Sequence, residues 1–347
     1  MWNELFVISG STKSLRVRTK LCASLFPEIY SPGDRHACWI KVSNTDVEQK
    51  TMKTIGMIGL GNMGSGMCAN LLKAGHNVRA FDLNPDAVTK AEKFGALGTS
   101  SASAALAGVD VVVTMLPTGQ HVLEVYFGDS GAVHLAAKNA LLIDCSTISV
   151  EEARQASSFA ESAGFTMVDA PVSGGVEAAA SGTLTFMVGG NEDGFDRARP
   201  ILEAMGKTAI HAGAAGNGQA AKIANNMLLG ISMIATCEAF NLAEKLGLDA
   251  QTFFEISSNA SGQNWSMTSY CPAPGPVSTS PSNNEYEPGF AVDMMLKDLK
   301  LAADAAETTD AHTAFGALAK ATYEELSKAG YGQKDFSVVM RQIKENI

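Results

Sequence analysis

Lys222 stands in surroundings unlike those of an ordinary lysine. Ala220, Ala221, Ile223 and Ala224 flank it, and the chain stays apolar for two further turns with no acid nearby in sequence. An ammonium held among apolar groups loses solvation, which lowers its pKa toward the range where the amine can act as a general base. Asn226 follows four residues later, and in a helix that spacing puts both side chains on one face. A second candidate is Ser173-Gly174-Gly175, directly after the strand-like FTMVDA (165–170). Small residues there expose successive backbone N–H groups suited to a carboxylate, and the serine hydroxyl adds a donor. Together these groups could take a proton beside a bound carboxylate.

A third constellation binds a nucleotide. Gly59-Leu60-Gly61-Asn62-Met63-Gly64 has the spacing GxGxxG, follows the strand-like KTIGMIG (53–59) and opens a helical stretch. Glycines there permit a tight turn, close approach of backbone to a pyrophosphate, and close packing of helix on strand. The helix N-terminus adds partial positive charge. The next strand-like run, NVRAFD, ends at Asp82, where an acid accepts hydrogen bonds from a ribose 2′-OH. That carboxylate repels a 2′-phosphate, and Leu83-Asn84-Pro85 offers no arginine to receive one. Arg79 differs from Asp82 by an odd number and should point to the other face of the strand. The expected cofactor is NAD.

Other chemistry is poorly supported. The six cysteines, at 22, 38, 68, 145, 237 and 271, show no CxxC spacing and no histidine cluster beside them, so no metal site is expected. A net charge of −10 argues against nucleic acid as a partner, because phosphate-backbone binders need a basic face. Residues 223–240 approach membrane length, yet Asn225, Asn226 and Glu238 interrupt them, which favours a buried helix over a span.

The elements that must position these groups follow from pattern. With 347 residues, 46% hydrophobic, the chain can build two ordinary domains. Strand-like runs at 53–59, 77–82, 110–116, 140–145, 165–170 and 184–190 alternate with helical stretches at 62–75, 84–94, 149–163 and 191–205. Such alternation predicts an α/β fold with a mainly parallel, doubly wound sheet. After Gly218 strand signals stop. A long helix over about 219–246 ends at Gly247, Asp249 caps the next, and further helices cover 290–308, 311–329 and 335–346. The division is therefore a poorly structured extension over 1–52, a dinucleotide-binding domain over 53–215 and an all-helical domain over 216–347 that completes the substrate site. Residues 272–289, rich in Pro, Ser and Asn, read as a long surface loop. For the extension two origins compete. Residues 11–26 are basic and Ser-bearing without acids, as in an organellar transit peptide, which places the protein in the mitochondrial matrix. Alternatively Met52 opens the first strand as a natural start, and the protein is cytoplasmic.

Four segments carry a family resemblance: IGLGNMGSGMCANLLKAG (58–75), DAPVSGGVEAAASGTLTFMVGG (169–190), GAAGNGQAAKIANNMLL (213–229) and LKDLKLAAD (296–304). In order and spacing the chain resembles the β-hydroxyacid dehydrogenases, within them the 3-hydroxyisobutyrate dehydrogenases, over roughly 53–345. The resemblance implies NAD-dependent oxidation of 3-hydroxyisobutyrate to methylmalonate semialdehyde, a step of valine breakdown. It implies Lys222 as the catalytic base, Asn226 as substrate orienter, and Ser173, Gly174 and Gly175 as the carboxylate site. Lys297 is implied at the cofactor–substrate junction, and Leu116, Pro117 and Thr147 border the dinucleotide beside Gly59–Gly64 and Asp82. Separately, the long apolar helix suggests burial between subunits of a homodimer or homotetramer, although a monomer could bury it between domains. Tartronate or succinate semialdehyde reductases of the same family, and a non-catalytic dinucleotide-binding module, are the rival readings; retention of Lys222 speaks against the last.

Overall fold

The computed structural model describes residues 14–16, 39–41 and 52–345. The chain separates into two compact units, Met1–Thr51 and Met52–Ile347. In the first, Ser14–Arg16 pairs antiparallel with Trp39–Lys41. The remainder of the expected extension lies outside the described residues.

The second unit holds a sheet of nine strands. They are β1 (Thr54–Ile58), β2 (Asn77–Phe81), β3 (Leu97–Gly98), β4 (Val111–Thr114), β5 (Leu141–Asp144), β6 (Thr166–Asp169), β7 (Val172–Ser173), β8 (Leu184–Gly189) and β9 (Gly206–Gly213). The order is β9-β8-β6-β5-β4-β1-β2-β3, with β7 paired to β8. From β3 to β6 every neighbour is parallel, in the doubly wound arrangement with its reversal between β1 and β4. The final pair runs against it: β8 is antiparallel to β6, and β9 is parallel to β8.

Burial explains why β4 and β5 read as unbroken apolar runs. Their side chains alternate between two cores, with Val113 and Ile143 packing in one and Val112 and Leu142 in the other. All six expected strands form. The edge strand β9 was not anticipated, because GKTAIHAG alternates weakly and leaves Ile210 55% exposed. An edge strand has one neighbour and needs no continuous apolar run.

Helices α1 (Gly64–Lys73), α6 (Val150–Ser162), α7 (Gly175–Ser181) and α8 (Glu192–Met205) belong to this layer, with the shorter α2–α5 (Pro85–Lys93, Ala102–Leu106, Gly119–Phe127, Ala132–Leu135) between α1 and α6. Then α9 (Asn217–Lys245) runs 29 residues, packs on β8 and β9 at its start, and enters the helical core further along. Its buried residues extend from Gly218 to Ala243. Asp249 caps α10 (Ala250–Ser257) by accepting from Thr252 N at 3.0 Å, as the sequence indicates. The helical core joins Met233, Cys237 and Phe240 of α9 to Met295 and Leu299 of α12 (Val292–Thr308) and Tyr323 of α13 (Ala314–Leu326). A one-turn α11 (Trp265–Thr268) precedes the 272–289 loop, and α14 (Val339–Glu345) closes the chain.

The 272–289 segment is irregular as expected, but not confined to the surface. Ala273 and Tyr286 are buried in the helical core, and the Tyr286 hydroxyl donates to the Pro272 carbonyl at 2.9 Å. Composition marks the absence of periodic structure; it does not report which few side chains point inward.

Candidate active site

The three glycines of the Gly59–Gly64 turn have separate constraints. Gly59 has φ +95, and a Cβ there would lie 2.2 Å from the Met115 carbonyl oxygen. A Cβ on Gly64 would lie 2.0 Å from the Gly59 carbonyl oxygen, so helix α1 can start against β1 only without a side chain. Gly61 is exposed and has nothing within 4 Å of its Cβ position. Fold therefore demands the outer two glycines, whereas the middle one opens onto free space where a pyrophosphate could approach the backbone. Asn62 is exposed beside it, and Met63 is half-buried against the core.

Asp82 is held by this turn. It accepts from Leu60 N at 2.6 Å and from Asn84 N at 2.8 Å. Arg79 is engaged elsewhere, donating to the Ala107 carbonyl at 2.5 Å. On the β4 side of the reversal in strand order, Leu116 N donates to Ser146 Oγ at 2.8 Å. Ser146 Oγ and Thr114 Oγ1 both donate to Asp144 Oδ1, at 2.6 and 2.7 Å. Burial pushes the Asp144 carboxyl up to about 6, against the lowering effect of those hydrogen bonds. This network ties the ends of β4 and β5 together; Leu116 and Thr147, just after those strand ends, are half-buried and Pro117 is exposed.

Ser173 ends β7, and Gly174 and Gly175 enter α7 with φ of +135 and +72. First-turn N–H groups of a helix have no partner inside it, and the segment expected to cradle a carboxylate supplies the first of them here. Helix α7 is docked on α1. A Cβ on Gly66 would come within 2.6 Å of the Ala179 backbone, and Asn70 Nδ2 donates to the Ala179 carbonyl at 2.7 Å. The nucleotide turn and the cradle thus sit on two helices in contact.

Helix α9 is fixed to the sheet through its first turn. Asp169, at the end of β6, accepts from Gly216 N at 2.7 Å and from Gln219 N at 2.9 Å. A carboxylate suits the positive end of a helix. Gln219, fully buried, donates to the Ser146 carbonyl at 2.7 Å and accepts from Ile148 N at 3.2 Å. One turn further on stands Lys222, 7% exposed. Burial lowers its pKa from the ordinary lysine value; Asp298 pulls it up and Lys297 pushes it down.

Asp298 corrects the expectation that Lys222 has no acid near it. The acid comes from α12, 76 positions away, and no local window of sequence contains it. Asp298 is buried and accepts from Asn226 Nδ2 at 2.6 Å. Lys297 lies 3.6 Å from Asp298 and donates to the Thr147 carbonyl at 2.9 Å. Asn226, Asp298, Lys297 and Thr147 are therefore one connected group, drawn from α9, α12 and the loop after β5, and Lys222 lies within the electrostatic reach of Asp298 and Lys297. Sequence reasoning passed over Asp169 and Gln219. Both lie inside segments already singled out, and an acid ending a strand before SGG was the available signal.

Comparison with known proteins agrees with this architecture. Residues 54–213 match the model for the NAD binding domain of 6-phosphogluconate dehydrogenase. Residues 216–343 match the model for the NAD-binding region of NADP-dependent 3-hydroxyisobutyrate dehydrogenase. A probable 3-hydroxyisobutyrate dehydrogenase of Mycobacterium tuberculosis is 50% identical over 293 residues, covering 84% of this chain and 98% of the relative. An NAD-dependent L-serine dehydrogenase of Pseudomonas aeruginosa is 46% identical over 290 residues, covering 84% and 97%. Among solved structures, that of Mycobacterium tuberculosis 3-hydroxyisobutyrate dehydrogenase with L-serine superposes with a TM-score of 0.80 at 49% identity, over 85% of this chain and 100% of the other. With both halves matched and nearly the whole of each relative covered, the chain belongs to the 3-hydroxyisobutyrate dehydrogenase family and is an oxidoreductase that uses NAD.

Proposed function

We propose that the protein oxidises 3-hydroxyisobutyrate to methylmalonate semialdehyde, as a step of valine breakdown. The observation that carries this reading is Lys222: a buried lysine with lowered pKa, on one helical face with Asn226 and anchored beside the strand ends. In the proposed reaction Lys222 Nζ takes the substrate's hydroxyl proton, and Asn226, oriented by Asp298, holds the hydroxyl in line. Ser173, Gly174 and Gly175 hold the carboxylate. Lys297, fixed on the Thr147 carbonyl, stands at the junction with the nucleotide. Gly59–Gly64, Leu116, Pro117 and Asp82 would hold NAD, and Asp82 selects it over NADP. When bound, NAD supplies the acceptor for the hydride that leaves the hydroxyl-bearing carbon.

L-Serine is a second reading, favoured by the relative that oxidises it by name and by the related structure described with it. The two acids share the carboxylate and the hydroxymethyl group and differ in one α-substituent, methyl or ammonium. Steady-state kinetics with both acids, tartronate and succinate semialdehydes, and both nucleotides decides between them. Highest kcat/KM for 3-hydroxyisobutyrate with NAD supports the first reading; highest for L-serine replaces it. Self-association into a dimer or tetramer belongs to the same proposal and is checked by sedimentation. The exposed Leu228, Leu242, Phe315 and Leu318 are the side chains such assembly would cover.

A further inference from the structure

Asp335 is completely buried, and among the described residues it forms no ion pair within 4.0 Å. Five hydrogen bonds take the place of a counterion. Oδ2 accepts from the Tyr270 hydroxyl at 2.8 Å, Gly289 N at 3.1 Å and Phe290 N at 3.0 Å. Oδ1 accepts from Ser337 N at 3.0 Å and Ser337 Oγ at 2.6 Å. A buried carboxylate is tolerated where donors saturate it, and removal of the acceptor strands each of them.

Three of the five donors belong to the two ends of the irregular 272–289 segment: Tyr270 before it, Gly289 as its last residue and Phe290 after it. Backbone bonds reinforce the closure, with Asp335 N donating to the Tyr286 carbonyl at 2.9 Å and Phe336 N to the Phe290 carbonyl at 2.8 Å. The Tyr270 ring is stacked between Trp265 and Phe336, at 5.0 and 5.5 Å. A Cβ on Gly289 would lie 2.4 Å from the Tyr270 hydroxyl oxygen, so a glycine at 289 is what lets this tyrosine reach the carboxylate. The Gly289 carbonyl oxygen in turn stands 4.0 Å from the Cβ position of Gly175. The clamp therefore ends at the rim of the Ser173–Gly175 cradle. None of its bonds comes from the Gly59–Gly64 turn, Asp82, Leu116 or Pro117.

We propose that Asp335 is a positioning residue for the hydroxy acid: it fixes Tyr270 and Gly289 against the carboxylate cradle, so that substrate binding depends on it and NAD binding does not. The proposal rests on the reading of Ser173–Gly175 as the carboxylate site. Asp335→Asn keeps the size of the side chain and opposes an amide N–H to backbone donors. The test compares KM for the acid with KM for NAD, on 3-hydroxyisobutyrate, or on L-serine if the wild-type chain turns over that acid instead. The expected result is a KM for the acid raised about tenfold, with KM for NAD within about twofold. Equal changes in both, or none in either, would overturn it, since loss of fold integrity alone gives no such split. If Asp335→Asn does not yield folded protein, Ser337→Ala removes one donor of five and is read the same way, with a smaller rise in the acid's KM expected. An active wild type without the split refutes the positioning role alone; a wild type inactive on both acids refutes the functional reading beneath it.

Discussion

At the Gly59–Gly64 turn the site is made of main chain, whereas around Lys222 it is made of polar and charged side chains, several of them brought from distant parts of the chain. The turn needs absence: two glycines have no room for a Cβ, and the third opens onto free space. Around Lys222 the site needs presence. Asp298 arrives from α12, Gln219 from the first turn of α9, and Asp169 from the end of β6. Backbone sites leave a local mark, because six consecutive residues carry all three glycines even though the Met115 carbonyl that crowds Gly59 comes from after β4. A buried charge is specified by its partners, and the acid that acts on Lys222, Asp298, lies 76 positions away in sequence. The same physics fixes how each region should fail.

Lys222→Ala should show the largest effect. General-base catalysis contributes roughly 10²–10⁴, so kcat is expected to fall by at least about a hundredfold. NADH affinity, measured by fluorescence titration, should change little, because Lys222 is not among the groups that form the nucleotide turn. A variant retaining more than about a tenth of wild-type kcat would remove the lysine from the base role.

At the nucleotide site, Asp82→Asn is expected to lower kcat/KM for NAD by about tenfold or more, the scale of a hydrogen bond to a charged group. Asp82→Arg should in addition admit NADP, since the repulsion of its 2′-phosphate is replaced by attraction. Kinetics with both nucleotides check this, and a wild type that uses NADP as well as NAD would contradict it.

Two glycine substitutions sharpen the difference between fold and function within one turn. Gly64→Ala forces a methyl against the Gly59 carbonyl and should cost about 1–3 kcal/mol, lowering Tm by several degrees. Gly61→Ala meets no atom within 4 Å, so Tm should stay unchanged while NADH binding weakens. Equal losses of Tm in both variants would show that the middle glycine serves the fold and not the ligand.

The helical region has its own, smaller test. Asp298 raises the pKa of Lys222, so Asp298→Asn should let the lysine shed its proton more readily. The acid limb of the pH profile of log kcat/KM then moves to lower pH. The sign follows because loss of a nearby anion disfavours the ammonium, which deprotonates at a lower pH. Movement to higher pH would mean that desolvation, not charge, dominates what Asp298 does there.

How much of this could be read in advance follows the same division. Strands β1, β4, β5, β6 and β8 were legible because each buries most of its residues and carries the β-branched and apolar side chains of a covered sheet, and β2 because its buried Val78 and Ala80 alternate with more exposed positions. The half-exposed edge strand β9 carried no such mark, and the inward turn of Tyr286 was hidden in a composition that otherwise speaks for a loop. Lys222 and Asn226 could be placed together by helical spacing alone. Asp298 could not be joined to them, since nothing local in LKDLKLAAD distinguishes an acid that reaches α9 from one paired with its neighbouring lysine. The structure shows Asp298 bonded to Asn226 and 3.6 Å from Lys297.

The smallest effect is expected from removing residues 1–51. The first family match begins at residue 54, and 84% of this chain covers 98% of a relative at 50% identity. The body from Met52 onward therefore contains what that relative contains. Lys53 immediately precedes β1, and that strand finds its neighbours in β2 and β4, both within the body. The chain starting at Met52 should keep its kcat and its Tm. For a body of this size about 1 kcal/mol corresponds to roughly 2–4 °C, so a larger drop in Tm would reveal packing of the segment on the body. A separate readout concerns the basic, acid-free stretch 11–26. Residues 1–51 fused to a fluorescent reporter in eukaryotic cells should reach mitochondria if that stretch is a transit peptide, and stay diffuse if it is not.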